Sequence, residues 1–295
     1  MSGGEDRISL ETQVERARAG DRPALEAVVA ALRDDVYNLA VRMLWHPEDA
    51  EDATQEILVK VVTRLDSFAG RSSFRTWVWR VAANHLLTTR KRRAERPEIT
   101  FEAFGADLAE GLADESTSAE HDERTQLIEE VKLGCSQGML LCLDRGHRLA
   151  YILGEILELD HREGSEVLGI SPAAFRKRLS RARSRLHAFV RTHCGLVNAD
   201  APCRCERRVD RAIEVGRVTP HGLLFADHPR ADAAAVAASA RAPRARPPTP
   251  PPWPTGDVWR RSATRHHFSR AFRAMRIPGA SPRRYGSCWR RGRSG

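Results

Sequence analysis

The chain has four lysines against 44 arginines, aromatic residues make up only 6% of it, and no run of about 18 consecutive apolar residues occurs in its 295 residues. Without such a run there is no candidate membrane span. The polar start, Met1 to Leu10, lacks the apolar core of a secretion signal. These absences lead to the expectation of a cytoplasmic protein with no membrane insertion. No stretch of useful length alternates apolar and polar residues, so strands are not expected and the fold class reads as all-α. Phosphate loops, GxSxG elbows and HExxH pairs are missing too, which removes the commonest enzymatic constellations; the chain does not read as an enzyme. Six cysteines in a chain without a secretion signal speak against a disulfide framework.

Charge is unevenly placed. The formal net charge is +9, but 15 of the 48 basic residues and only two of the 39 acids lie in residues 229–295, so that segment carries +13 and residues 1–228 carry −4. Affinity for a polyanion must therefore be argued from local basic faces and not from the total.

What the chain does have is helical periodicity. Leu25, Val28, Val29, Leu32, Val36, Leu39, Ala40 and Met43 recur at three- and four-residue steps, one face of a helix that ends near His46-Pro47. A second helix spans about Glu48 to Leu65 on Ala50, Ala53, Ile57, Val61 and Leu65, until Asp66 to Gly70 breaks it. A third begins at Ser72 or Ser73, either able to cap it, and turns Phe74, Trp77, Val78 and Val81 inward. Residues 1–93 thus read as a first helical domain, and residues 94–123, acidic and poorly periodic, as a flexible linker. Residues 124–191 carry Leu127, Ile128 and Val131, then Leu149, Ile152, Leu153, Ile156 and Leu157, and read as a second helical domain. Residues 192–228 form a cysteine-containing extension. The Ala-, Arg- and Pro-rich residues 229–295 are dominated by amino acids with GC-rich codons, and are expected to be disordered or frame-shifted.

The sharpest motif runs from Glu166 to Arg183. Gly169 permits a tight turn, Ser171 is a good N-cap, and Pro172 suits the first helical position, which together mark a helix-turn-helix. Phe175, Leu179, Ala182 and Leu186 form the inward stripe of its second helix. Arg176, Lys177, Arg178, Arg181, Arg183 and Arg185 occupy the other faces, with no acid from Pro172 to Arg191. Such a surface can hold phosphates and bring Arg side chains to base edges; the plainer alternative is a solvated basic helix in an ordinary bundle. In the first domain, Asp49 to Glu56 places acids at a helix start, where the macrodipole alone would favour them. Arg71, Arg75, Arg80 and Arg90 to Arg93 surround Trp77 and Trp79, a mixture suited to unstacked bases. Trp77 falls on the inward stripe and reads as core, which leaves Trp79 as the better candidate for an exposed contact, with simple packing on a neighbouring helix as the equal alternative.

Together, Asp49 to Glu56, Phe68 to Trp77 with Ala82-Ala83-Asn84, and Glu166 to Arg183 resemble the two conserved regions of extracytoplasmic-function (ECF) RNA polymerase sigma factors of the sigma-70 family. The resemblance covers Leu25 to Arg93 and Arg124 to Arg191. It implies a sigma factor that binds the beta and beta-prime subunits of core RNA polymerase and directs promoter-specific initiation, with an anti-sigma factor as a further partner to consider. It implies polymerase contacts at Asp49, Asp52, Gln55 and Glu56. By the same resemblance, Phe68, Arg71, Ser73, Arg75, Trp77, Arg80 and Asn84 meet the melted strand of the −10 element, and Arg176, Lys177, Ser180 and Arg181 meet the −35 element as duplex.

Two segments depart from the family pattern. Gly164 and Ser165 stand where a larger apolar residue and Ala are usual, and a helix-interior glycine costs about 1 kcal/mol, so the first helix of the motif is expected to be loose. Gly134-Cys135-Ser136-Gln137-Gly138 is an unusual lead into the second domain. His193, Cys194, Cys203 and Cys205 are soft donors able to hold Zn²⁺ tetrahedrally, although Cys203-Arg204-Cys205 is tighter than the common structural spacing; isolated reduced thiols are the alternative. No other cofactor is implied.

Overall fold

The computed structural model describes residues 3–88, 99–110, 112, 121–220 and 223. The tail at 229–295 and the basic cluster Arg90 to Arg93 lie outside the described residues. Ten α-helices and no strand occur among those described, and both expected helical domains are present.

The N-terminal domain is built on α2 (Arg22–Leu44) and α3 (Pro47–Thr63). Asp21 caps α2, its carboxylate accepting from the Ala24 amide at 3.1 Å, and Val28, Leu32, Val36, Leu39, Ala40 and Met43 are buried. In α3 the buried face is Ala50, Ala53, Thr54, Ile57, Leu58 and Val61. Helix α4 (Phe74–Thr88) begins at Ser73, whose hydroxyl accepts from the Thr76 amide at 3.1 Å; of the two serines able to cap, Ser73 is the one that does. A further helix, α1 (Gly3–Arg18), packs on α2 through Leu10 and Val14.

The segment expected to be a flexible linker contains a helix, α5 (Phe101–Ala109), capped by Thr100 accepting from the Ala103 amide at 3.1 Å. Helix α6 (His121–Leu141) likewise starts a few residues before the anticipated boundary at Arg124. Phe101 and Phe104 of α5 meet Phe189 of α9 (Pro172–His193) at centroid separations of 5.3 and 5.6 Å. Glycines make the close approach possible. A Cβ on Gly105 would stand 2.8 Å from the His193 ring, and one on Gly138 would stand 2.8 Å from the Phe104 ring. The odd Gly134 to Gly138 segment is thus a junction, with Gly138 seating Phe104 and Gln137 donating across to the Val41 carbonyl at 3.4 Å.

Helix α7 (Arg145–Tyr151) runs on into a π-helical turn, Ile152–Ile156. From α7, Arg148 ties the two domains together. Its guanidinium, 6% exposed, donates to the carbonyls of Leu140 (2.9 Å), Leu141 (3.0 Å), Leu143 (2.9 Å) and Met43 (2.7 Å). These oxygens belong to the end of α6, the residues just beyond it, and the last turn of α2, where helices leave carbonyls without intrahelical donors. Helix α8 (His161–Leu168) packs on α4, and one continuous apolar core runs through both domains. The extension is folded as well. Its helix α10 (Cys205–Glu214) lies on α6, Val209 and Ala212 against Leu127.

Candidate nucleic-acid interface

The helix-turn-helix is formed by α8 and α9. Asp160 accepts from the Arg162 and Glu163 amides at 2.7 and 2.8 Å, while Glu163 accepts from the Asp160 amide at 3.1 Å, a complete capping box. Gly169 closes α8 with φ of +63°. The expectation that α8 is loose is corrected here. A Cβ on Gly164 would lie 2.3 Å from the Phe175 ring, so the glycine is the seat that lets the two helices approach. Ser165 is buried and donates to the Arg162 carbonyl at 2.8 Å.

Ser171 caps α9, accepting from the Ala174 amide at 3.2 Å, and Phe175, Leu179, Ala182 and Leu186 are all buried. Two of its cations are engaged within the fold: Arg183 donates to Glu155 at 2.6 Å, and Arg185 lies 4.0 Å from Asp144. Arg176, Lys177, Ser180 and Arg181 are exposed together on the outer face.

In the N-terminal domain, Asp52, Gln55 and Glu56 are exposed and Asp49 is half-buried, on the side of α3 away from its apolar face. At the other end of α3, a groove of about 390 Å³ opens against α4, lined by Lys60, Arg64, Trp77, Arg80, Asn84 and His85 among others. Three of the seven expected strand contacts, Trp77, Arg80 and Asn84, meet in this groove. Phe68 stands beside it, 5.7 Å from Trp77 and 5.3 Å from Phe74. Arg71 and Ser73 are exposed but do not line it, and Arg75 is engaged with Asp35 of α2. Of its two readings Trp79 takes packing, at 6% exposure, while Trp77, read from periodicity as core, is half-buried and faces the groove. Helix α4 is covered by α8 as well as by α2 and α3, so more than one of its faces is apolar and closed.

Lys60, Arg64 and His85 were not anticipated. Their signal was the four-residue step from Lys60 to Arg64, which puts Lys60 and the C-cap Arg64 on one side of the end of α3. The Lys60 ammonium donates to His85 Nδ1 at 2.5 Å, and Glu56 lies 3.8 Å from Nε2. Burial, with Lys60 alongside, lowers the His85 pKa, and Glu56 opposes this. The imidazole is therefore neutral near pH 7 and able to accept. Since the folded pKa lies below the unfolded one, stability should be full above about pH 6.5 and fall as the pH drops further. Urea midpoints measured across that range should show the loss in the parent chain and a weaker one in His85→Gln; identical acid slopes would remove His85 as its source.

The soft-donor set is partly broken up. His193 turns toward α5, its ring 4.6 Å from that of Phe189 and against Gly105.

Comparison with known proteins agrees with this arrangement. Residues 28–96 match Sigma-70 region 2, and residues 134–186 match Sigma-70, region 4. The ECF RNA polymerase sigma factor SigW of Bacillus subtilis is 29% identical over 194 residues, 62% of this chain and 98% of that protein. RNA polymerase sigma-H factor of Pseudomonas aeruginosa is 30% identical over 179 residues, 59% of this chain and 89% of the other. RNA polymerase sigma factor YlaC of Bacillus subtilis is 30% identical over 166 residues, 56% and 91% of the two chains. With a region 2 groove on α3 and α4, a region 4 helix-turn-helix on α8 and α9, and relatives matched over nearly their whole length, the chain belongs to the extracytoplasmic-function group of the sigma-70 family of RNA polymerase sigma factors.

Proposed function

We propose that this sigma factor docks on core RNA polymerase through the acidic side of α3, reads the distal promoter element as duplex with α9, and holds the melted strand of the proximal element in the α3–α4 groove. The observation that carries this reading is the outer face of α9. Arg176, Lys177, Ser180 and Arg181 are exposed together behind a fully buried stripe, the arrangement a major-groove reader needs. The groove supplies what a single strand requires, an aromatic ring for stacking and the cations Lys60, Arg64 and Arg80 for phosphates. The role is one of binding, and polymerase carries out the chemistry.

Run-off transcription with core polymerase and fragments of the gene's own upstream region tests the proposal. A specific transcript is expected. Arg176→Ala and Arg181→Ala should each reduce its yield from the distal-element promoter by roughly 5- to 150-fold, since a base contact carries about 1–3 kcal/mol of discrimination. Undiminished selectivity in both variants would contradict the assigned face. Duplex binding with no transcript would point instead to an ordinary helix-turn-helix regulator.

A further inference from the structure

Four cysteines that are scattered in the sequence come together in the fold. Cys194 is the C-cap of α9, and the chain then loops back so that Cys203 lies beside it in an isolated parallel bridge, the Gly195 amide donating to the Cys203 carbonyl at 3.0 Å. Cys205 opens α10. The face of α6 that receives α10 includes Leu127 and Val131, and Cys135 lies one turn beyond Val131 on that same face. Cys203 is buried in the main core, and Cys135 and Cys194 pack against it. The thiols are also within electrostatic reach of one another: Cys135 senses Cys205, Cys203 and Cys194, and Cys205 senses Cys194 and Cys203.

The surroundings suit an anionic centre. Lys132, Arg204 and Arg208 act on these sulfurs as cations, and Arg208 is buried at 3% exposure, donating to the Asp107 carbonyl at 3.0 Å. A divalent ion held by four thiolates carries two net negative charges, which such cations would offset. The fifth cysteine among the described residues, Cys142, is separate, its thiol donating to the Gly138 carbonyl at 3.3 Å. As folded, no three His, Cys, Asp or Glu side chains among the described residues are arranged to hold an ion, so binding would have to draw neighbouring thiols inward by rotation of their side chains.

We propose that Cys135, Cys194, Cys203 and Cys205 take up one thiophilic divalent cation, Zn²⁺ by its preference for four tetrahedral sulfurs, which fastens the C-terminal extension to α6. On binding, each thiol loses its proton to solvent and each thiolate forms one bond to the metal, with no change of oxidation state. The consequence reaches the segment between the domains. Arg208 and Arg217 of the fastened extension hold Asp107 of α5, Arg217 at 2.8 Å, so the ion would help to keep α5 in place.

The test uses the full chain, purified under reductant, with metal content measured and Co²⁺ then exchanged in as a spectroscopic probe. One equivalent of zinc and a tetrahedral cobalt–thiolate absorption are expected, retained in Cys142→Ser and lost or weakened in Cys135→Ser at unchanged helical circular dichroism. If Cys135→Ser does not fold, maleimide labelling of the parent chain decides the matter: zinc should protect four thiols. A chain that binds neither metal, an unchanged cobalt spectrum in folded Cys135→Ser, or equal labelling with and without zinc would overturn the proposal. So would a Cys194–Cys203 disulfide mapped in metal-free protein that no longer takes up cobalt after reduction.

Discussion

Arg148→Ala should cost about 3 kcal/mol or more of folding stability, visible as a lower urea midpoint. One guanidinium donates to four carbonyls at a site where the residue is only 6% exposed: those of Leu141, Leu143 and Met43, and that of Leu140, which also accepts from the Leu143 amide at 3.1 Å. Truncation leaves buried acceptors without donors, each costing on the order of 1–3 kcal/mol when water cannot reach it, and opens a cavity as well. The positive charge also faces the negative ends of two helices, which strengthens each bond. Arg148→Lys should recover only part of the loss, because an ammonium is a compact donor and cannot span the fork that reaches both domains. A loss under about 1 kcal/mol in Arg148→Ala would mean that the carbonyls find other partners.

Gly164→Ala should destabilise the helix-turn-helix by about 1–2 kcal/mol and weaken duplex binding in parallel. Helix propensity alone predicts the opposite sign, a gain of about 1 kcal/mol. The geometry outweighs it: the new methyl would lie 2.3 Å from the ring of Phe175, a side chain with 0% exposure and little room to retreat. Overfilling a closed core costs about 1–3 kcal/mol, and here it would also push α9 away from α8, displacing the exposed face assigned to DNA. Gly134→Ala supplies the control. Nothing lies within 4 Å of its added Cβ, so propensity acts unopposed and the variant should gain about 1 kcal/mol. Thermal melting of the two variants should therefore move in opposite directions; two stabilised proteins would show that Phe175 does not seat tightly on Gly164.

Much of the fold could be read from local pattern. The stripe Val28 to Met43, the caps at Ser171 and Pro172, and the turn at Gly169 each carry their structural reason within a few residues. The features that escaped depend on contacts between distant segments. Trp79 could be read as exposed or as packed from its own helix alone; α4 lies against α2, α3 and α8, and the indole is buried. Helix α5 is short and acidic, and its stability comes from Phe101 and Phe104 lying on Phe189 and on the open backbone of Gly138, pairings that no periodicity announces. Gly164 read as a defect until Phe175 was placed above it. Among the soft donors, His193, Cys194, Cys203 and Cys205 are near in sequence, while Cys135 lies on another helix and only the α6–α10 contact brings it near. In the groove, attention to the acidic start of α3 obscured the two cations at its end.

The bond from Arg148 to the Met43 carbonyl spans 105 residues. A ribosome adding about 5–20 residues per second delivers that arginine roughly 5–20 s after the helix end it must close. For that interval the nascent region 2 bundle has the last turn of α2 open to solvent and lacks the α8 surface that later covers α4. The N-terminal domain is thus synthesised first and completed last, and a fragment ending before α6 should resemble the nascent chain more than the finished one.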